Sequence, residues 1–203
     1  MFRAMNPSLL SLIGPQVSRA LLDQAVEVPL GTTRVSSTEP LFTTVGASVA
    51  VCLLDTAGSA SALRQVMLPP VARGHRQDAM MSADAAMEDV LTNFLACAGL
   101  EPGSPPGGRV CAKLFGGATL PANSFSYSDG QQTAAFVHSW LSTRRIPVAA
   151  ESLGGNARRE LVLLPERGVV YCRRLPLDEA FLAEERDGLS TDNHTTANKI
   201  ELF

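Results

Sequence analysis

The stretch Leu41-Phe42-Thr43-Thr44-Val45-Gly46-Ala47-Ser48-Val49-Ala50-Val51-Cys52-Leu53-Leu54 is rich in Val, Thr and Ala. Such a composition suits a half-buried or buried strand. The three small residues Gly46-Ala47-Ser48 interrupt it, which predicts a bulge or a close backbone approach at that point. A nucleophile on such a break would be exposed at a sheet edge. Serine is also common in strands, and nothing in the spacing alone gives Ser48 a chemical role.

Outward from this run, strands dominate the first third. Residues 26–30 and 32–36 read as short strands before Pro40. Residues 55–61 read as a turn, and 63–68 as a strand stopped by Pro69-Pro70. Residues 71–81 read as a polar loop. Ser82 then caps a helix in which Ala83, Met87, Val90, Leu91, Phe94, Leu95 and Ala98 recur at helical spacing, with Gly99 as its stop. After a Pro- and Gly-rich linker over 101–109, residues 110–115 form a strand ending at Gly116-Gly117. A second helix over 129–144 presents Phe136, Val137, Trp140 and Leu141, and Pro147 prevents its continuation. Residues 146–150 form a strand. Residues 160–164 and 168–173 form a hairpin around Pro165-Glu166-Arg167-Gly168. Strict alternation of strand and helix is missing, so an α+β fold with mixed sheets in layers and two main helices is expected, not a doubly wound one. Residues 1–26 read as an N-terminal arm with a short helix over 16–25, and 175–203 as a polar tail.

Composition narrows the function classes. Of 203 residues, 45% are hydrophobic and 18% charged, which excludes a wholly disordered chain. Seventeen basic residues stand against 20 acidic ones, and no basic block exceeds two residues, so no nucleic-acid footprint shows. No apolar stretch approaches the roughly 20 residues needed to span a bilayer. The opening residues are too short and interrupted for a signal peptide, which leaves a cytoplasmic protein without direct membrane insertion as the expectation.

Chemistry-bearing clusters are few. Cys52, Cys97, Cys111 and Cys172 stand singly, without zinc-ligand spacing, so buried, reduced thiols and no metal are expected. Gly116-Gly117 and Gly154-Gly155 extend to no phosphate-binding motif and read as tight turns, so no cofactor is expected. Asp84, Glu88 and Asp89 read as the solvated side of a helix. His75, His138 and His194 read as surface residues.

The order of segments resembles the CheD family, the chemoreceptor glutamine deamidases of bacterial chemotaxis. Thr44-Val45-Gly46-Ala47-Ser48-Val49-Ala50-Val51-Cys52-Leu53 is similar to its TLGSCVAVCL motif, and Arg64-Gln65-Val66-Met67-Leu68-Pro69 to NHFMLP. Ser82-Ala83-Asp84-Ala85-Ala86-Met87-Glu88 resembles its YGDxAME segment. Cys111-Ala112-Lys113-Leu114-Phe115-Gly116-Gly117-Ala118 resembles EAKxFGGA, and Ile146-Pro147-Val148-Ala149-Ala150-Glu151-Ser152-Leu153-Gly154-Gly155 resembles IPVxAEDLGG. These motifs span about residues 27–174, which the resemblance marks as a CheD-like domain.

The resemblance implies a layered fold and a cysteine-hydrolase mechanism acting on receptor glutamines. A thiolate attacks the carboxamide, a histidine activates the thiol, ammonia leaves, and water hydrolyses the thioester. The departures fall on the reactive positions. Ser48 aligns with the family's nucleophile and Gln65 with its histidine. Phe42 aligns with its threonine, with Thr43 and Thr44 adjacent, and Thr44 stands as the third candidate site residue. Three readings follow: an inactive homologue that binds a chemoreceptor or a CheC-type phosphatase, an enzyme trapped by an engineered serine, or an active serine hydrolase. A neutral amide at position 65 cannot take a hydroxyl proton, which favours the first.

Overall fold

The computed structural model describes residues 24–58, 60–68, 76–101, 108–119, 129–176, 178 and 181. The expected helix over 16–25 lies almost wholly outside them, as do His75, His194 and the last 22 residues. Among these residues, nine strands and two α-helices follow in order: β1 (Val26–Glu27), β2 (Thr33–Ser36), β3 (Leu41–Val45), β4 (Val49–Asp55), β5 (Ser61–Val66), α1 (Arg76–Ala98), β6 (Val110–Gly116), α2 (Asp129–Thr143), β7 (Val148–Leu153), β8 (Ala157–Leu164) and β9 (Val169–Pro176). The fold is α+β with two mixed sheets, of order β1-β3-β8-β9 and β2-β5-β4-β6-β7.

The run over 41–54 is two strands, not one. β3 pairs with β8 in the four-stranded sheet, and β4 pairs with β5 and β6 in the five-stranded sheet. Gly46-Ala47-Ser48 is the step between sheets, and the small size of these residues eases the close passage of the chain from β3 to β4.

β4 lies at the centre of the molecule, with every residue buried. Its alternation divides two cores. Val49, Val51 and Leu53 join Met87, Val90 and Phe94 of α1 and Val137, Trp140 and Leu141 of α2. Ala50, Cys52 and Leu54 join Leu41 and Val45 of β3 and Leu161 and Leu163 of β8. The result is three layers: the four-stranded sheet, the five-stranded sheet and the helix pair. A strand buried on both faces reads as a continuous apolar run, which is how 49–54 reads.

α1 begins at Arg76, within the expected loop over 71–81, and Ser82 is interior rather than a cap. No Gly or Pro occurs between Arg76 and Ala98, and Gln, Ala and Met are good helix formers. The apolar periodicity begins only at Ala83, where the helix meets the sheet. The helices are clamped by Trp140 Nε1, which donates to Asp84 Oδ1 at 2.8 Å, and by an Arg144–Glu88 ion pair. Asp84 and Glu88 therefore tie α1 to α2 rather than forming a merely solvated face. The hairpin forms as expected, with a 3-10 turn at Pro165–Arg167 and Gly168 in the left-handed region, but its strands are longer. β9 runs to Pro176, Asp178 pairs with Arg158, and Phe181 is buried, so packed structure continues past residue 174.

The cysteines depart from expectation. Cys52 is buried, Cys111 and Cys172 are half-buried, and Cys97 is exposed. Cys97 lies in the last turn of α1, rotated away from the buried side that Phe94, Leu95 and Ala98 form.

Candidate functional site

At one end of the five-stranded sheet, register brings the start of β4 beside the ends of β5, β6 and β7. Val49 pairs with both Val66 and Gly116, and Gly116 pairs with Leu153. Ser48 is the residue just before β4 and therefore lies at this end. Gln65, one residue before the end of β5, follows Leu63 on the side facing the four-stranded sheet. Thr43 lies on the facing side of β3, between Leu41 and Val45.

These three side chains form a closed polar chain. Ser48 Oγ donates to Gln65 Oε1 at 2.9 Å. Gln65 Nε2 donates to Thr43 Oγ1 at 2.7 Å and to the Val28 carbonyl at 3.2 Å. Thr43 Oγ1 donates to the same carbonyl at 2.7 Å. A backbone carbonyl can only accept, so it fixes which end of the Gln65 amide faces Ser48. All three residues are buried, with Ser48 and Thr43 1% exposed and Gln65 8% exposed. Each polar atom in the chain finds a partner, as burial demands.

The structure thus brings together Ser48 and Gln65, as expected, and joins them to Thr43. Thr44, placed with them from the sequence, is one position further along β3. Its side chain points to the opposite face, because strand side chains alternate. The signal that could have chosen Thr43 was the inward stripe Leu41, Thr43 and Val45, readable once the run is divided at Gly46.

The backbone around Ser48 is held by glycines. The Gly117 N–H donates to the Ser48 carbonyl at 2.8 Å, and the Ala118 N–H to the Gly46 carbonyl at 2.7 Å. Gly116 and Gly117 both have positive φ, as the turn reading of this pair expected.

Among the described residues, Cys52 and His138 also carry nucleophile or base chemistry, and neither bonds to Ser48. Cys52 lies four residues along β4, about 13 Å away at strand rise. Burial pushes its thiol up to about 12, so it stays protonated at neutral pH. His138 pairs with Glu151 on the surface at 2.8 Å, away from Ser48's hydrogen-bond partners. Among the described residues, no group of three or more His, Cys, Asp or Glu side chains could hold a metal ion. No described helix is long and apolar enough to cross a membrane.

The layered α+β fold thus buries a Ser–Gln–Thr chain between its two sheets. The sequence profile of the CheD chemotactic sensory transduction family matches residues 67–174. A protein of Dechloromonas aromatica, described as probable chemoreceptor glutamine deamidase CheD 2, is 34% identical over 183 residues, covering 85% of this chain and 90% of its own. Proteins of Saccharophagus degradans and Burkholderia thailandensis, described in the same terms, are 28% and 29% identical, over 81% and 89% of this chain and 78% and 93% of their own. The chain belongs to the CheD family.

Proposed function

We propose that this chain is a CheD-family protein that binds a chemoreceptor cytoplasmic segment without deamidating it. The observation that carries the reading is the Ser48–Gln65 hydrogen bond. Deamidation needs a nucleophile whose proton can leave to a base and later reach departing ammonia. Here the hydroxyl proton is directed at an amide oxygen, and a neutral carboxamide does not become protonated near pH 7. Thr43 and Val28 hold that amide in the same orientation, so it cannot rotate freely into another role. A serine hydroxyl is also far less acidic than a thiol, and no cation lies among its hydrogen-bond partners to assist ionisation.

The binding half of the reading is supported by the retained layers and by relatives described as acting on chemoreceptors. A chemotaxis phosphatase of the CheC type is the second partner that the resemblance suggests. The test uses the full chain with a receptor cytoplasmic fragment carrying glutamine. Co-sedimentation or calorimetry is expected to show binding, while ammonia release and a one-dalton mass gain stay at background. Turnover abolished by Ser48→Ala would overturn the inactive reading. Absence of binding to the receptor fragment would overturn the proposed partner.

A further inference from the structure

The β8–β9 hairpin carries two adjacent arginine pairs, and they are treated differently by the fold. Arg158 pairs with Asp178 at 2.9 Å, and Arg173 pairs with Glu160 at 2.5 Å. Arg159 and Arg174 lie directly opposite one another across the hairpin, and neither has a carboxylate partner among the described residues. Arg159 is 1% exposed, whereas Arg174 is exposed.

Their position follows from strand alternation. Leu161 and Leu163 of β8 face the five-stranded sheet, so Arg159 faces it too, at the end of that stripe. Arg159 pairs in register with Val45, three residues before Ser48. It lies toward the same end of the inter-sheet layer as Ser48. Among the described residues its guanidinium is held by neutral acceptors: Ser152 Oγ at 3.2 Å, the Ala157 carbonyl at 3.1 Å and the Gly154 carbonyl at 2.7 Å. Gly154 in turn donates its N–H to the Gly116 carbonyl at 2.9 Å, which links this corner to the turn behind Ser48.

Arg174 donates to the same Ser152 oxygen at 3.0 Å. A hydroxyl has two lone pairs and one proton. With both lone pairs taken by guanidinium N–H groups, the remaining capacity of Ser152 is as a donor. Two like charges thus converge on a hydroxyl left with only a proton to offer. A buried cation is costly without a counter-ion; the described residues place none at Arg159, and its neighbour is another cation. Burial and the Arg174 charge both push the Arg159 guanidinium down from its ordinary range. The loop beyond Ser152 leaves room, since a Cβ at Gly154 or Gly155 would meet nothing within 4 Å.

We propose that Arg174 and the Ser152 hydroxyl, backed by the buried Arg159 guanidinium, form a docking point for a side-chain carboxylate of the protein partner. Arg174 and Ser152 touch the carboxylate, and Arg159 supplies positive charge from behind. A carboxylate is favoured because it is the group that completes the other two arginines of this hairpin. It is also the group that conversion of glutamine to glutamate creates. Only the ownership of the carboxylate rests on the partner-binding reading. The anion site itself is tested without a receptor.

The test follows the Nε–Hε signals of the full-length protein labelled with 15N-arginine at constant ionic strength. The probes are N-acetyl-glutamate amide, N-acetyl-glutamine amide and inorganic phosphate. The glutamate compound is expected to shift Arg174 and Arg159 saturably, and the glutamine compound is not. Arg174→Gln and Ser152→Ala each weaken the glutamate response about three- to tenfold, the range for one charge-assisted contact at a part-exposed site. Both variants leave Arg159 in place, and the backbone amide spectrum verifies that they fold. A merely structural role for these arginines predicts no saturable response. That result, or an equal drift at Arg158 and Arg173, overturns the site. Tighter binding of phosphate than of the glutamate compound overturns its assignment to a carboxylate. A saturable glutamate response together with no receptor binding would retain the site and remove the proposed partner.

Discussion

The carbonyl oxygen of Ser48 occupies the space that a side chain on Gly116 would need. A Cβ there would lie 2.1 Å from that oxygen, and Gly116 has φ +111. The next residue donates its N–H to the same oxygen, so the contact is set by backbone on both sides and cannot relax by a rotamer change. The glycine pair after β6 is therefore part of what holds the Ser48 turn in place.

Gly116→Ala is expected to destabilise the protein far more than Gly154→Ala. Gly154 is also left-handed, at φ +69, but has open space around it. Its substitution should cost only the backbone term, about 1–2 kcal/mol. Gly116→Ala adds an overpacking cost of at least about 1–3 kcal/mol. Urea denaturation of both variants measures the difference, and equal losses would contradict the contact.

Thr43 and Thr44 should separate cleanly. Thr43→Val removes an acceptor from Gln65 and leaves buried polar atoms short of partners, at a cost of about 1–3 kcal/mol. Thr44→Val, at a half-buried position on the other face, should stay within about 0.5 kcal/mol. The same denaturation measurement checks both, and the reverse order would show that Thr44 is the residue coupled to the site.

A repair series tests the proposed lack of a base at Gln65. Ser48→Cys alone should release no detectable ammonia from a receptor fragment, since an unassisted thiol has a pKa of about 8.5 and is mostly protonated at neutral pH. Adding Gln65→His should raise the rate by roughly 10²–10⁴-fold, the usual contribution of a positioned general base. Thr43→Val in that double variant should lower the rate again, because the hydroxyl now bonded to Gln65 would orient the imidazole. Full activity in Ser48→Cys alone would identify an enzyme trapped by one substitution.

The buried thiol of Cys52 predicts an alkaline instability. Its folded pKa of about 12 lies above its ordinary value of 9.0, so folding favours the protonated form. The stabilisation is complete below about pH 9 and is lost as pH rises toward 12, at roughly 1.4 kcal/mol per pH unit by proton linkage. Cys111 and Cys172 shift in the same direction through burial. Cys52→Ala should therefore flatten the alkaline limb of stability against pH without abolishing it. Identical slopes would show that the thiol ionises freely in the fold. In native protein, a thiol reagent should modify exposed Cys97 first and Cys52 only after unfolding.

Much of this molecule was legible from local chemistry. The apolar period of residues 83–98 marked α1, Pro165 to Gly168 marked the hairpin, and the paired glycines marked left-handed turns. The pairing of Ser48 with Gln65 came through resemblance, since 17 residues separate them and only strand register makes them neighbours. The true start of α1 was hidden because its first turns precede the apolar periodicity. Its tie to α2 was hidden because Asp84 and Glu88 look like ordinary solvated acids until Trp140 and Arg144 are placed opposite them.

The sequence by itself determined the strand- and helix-forming segments, the family, and the residue types at the candidate site positions, because propensity, turn chemistry and motif order are local properties. Only the tertiary structure decided that residues 41–54 divide between two sheets. That division turns Thr43 rather than Thr44 toward Gln65, since one step along a strand reverses the face a side chain occupies. It also decided which arginines of the hairpin meet a carboxylate. Arg158 and Arg159 are adjacent in sequence, yet strand alternation sends one outward to Asp178 and buries the other against neutral acceptors between the sheets.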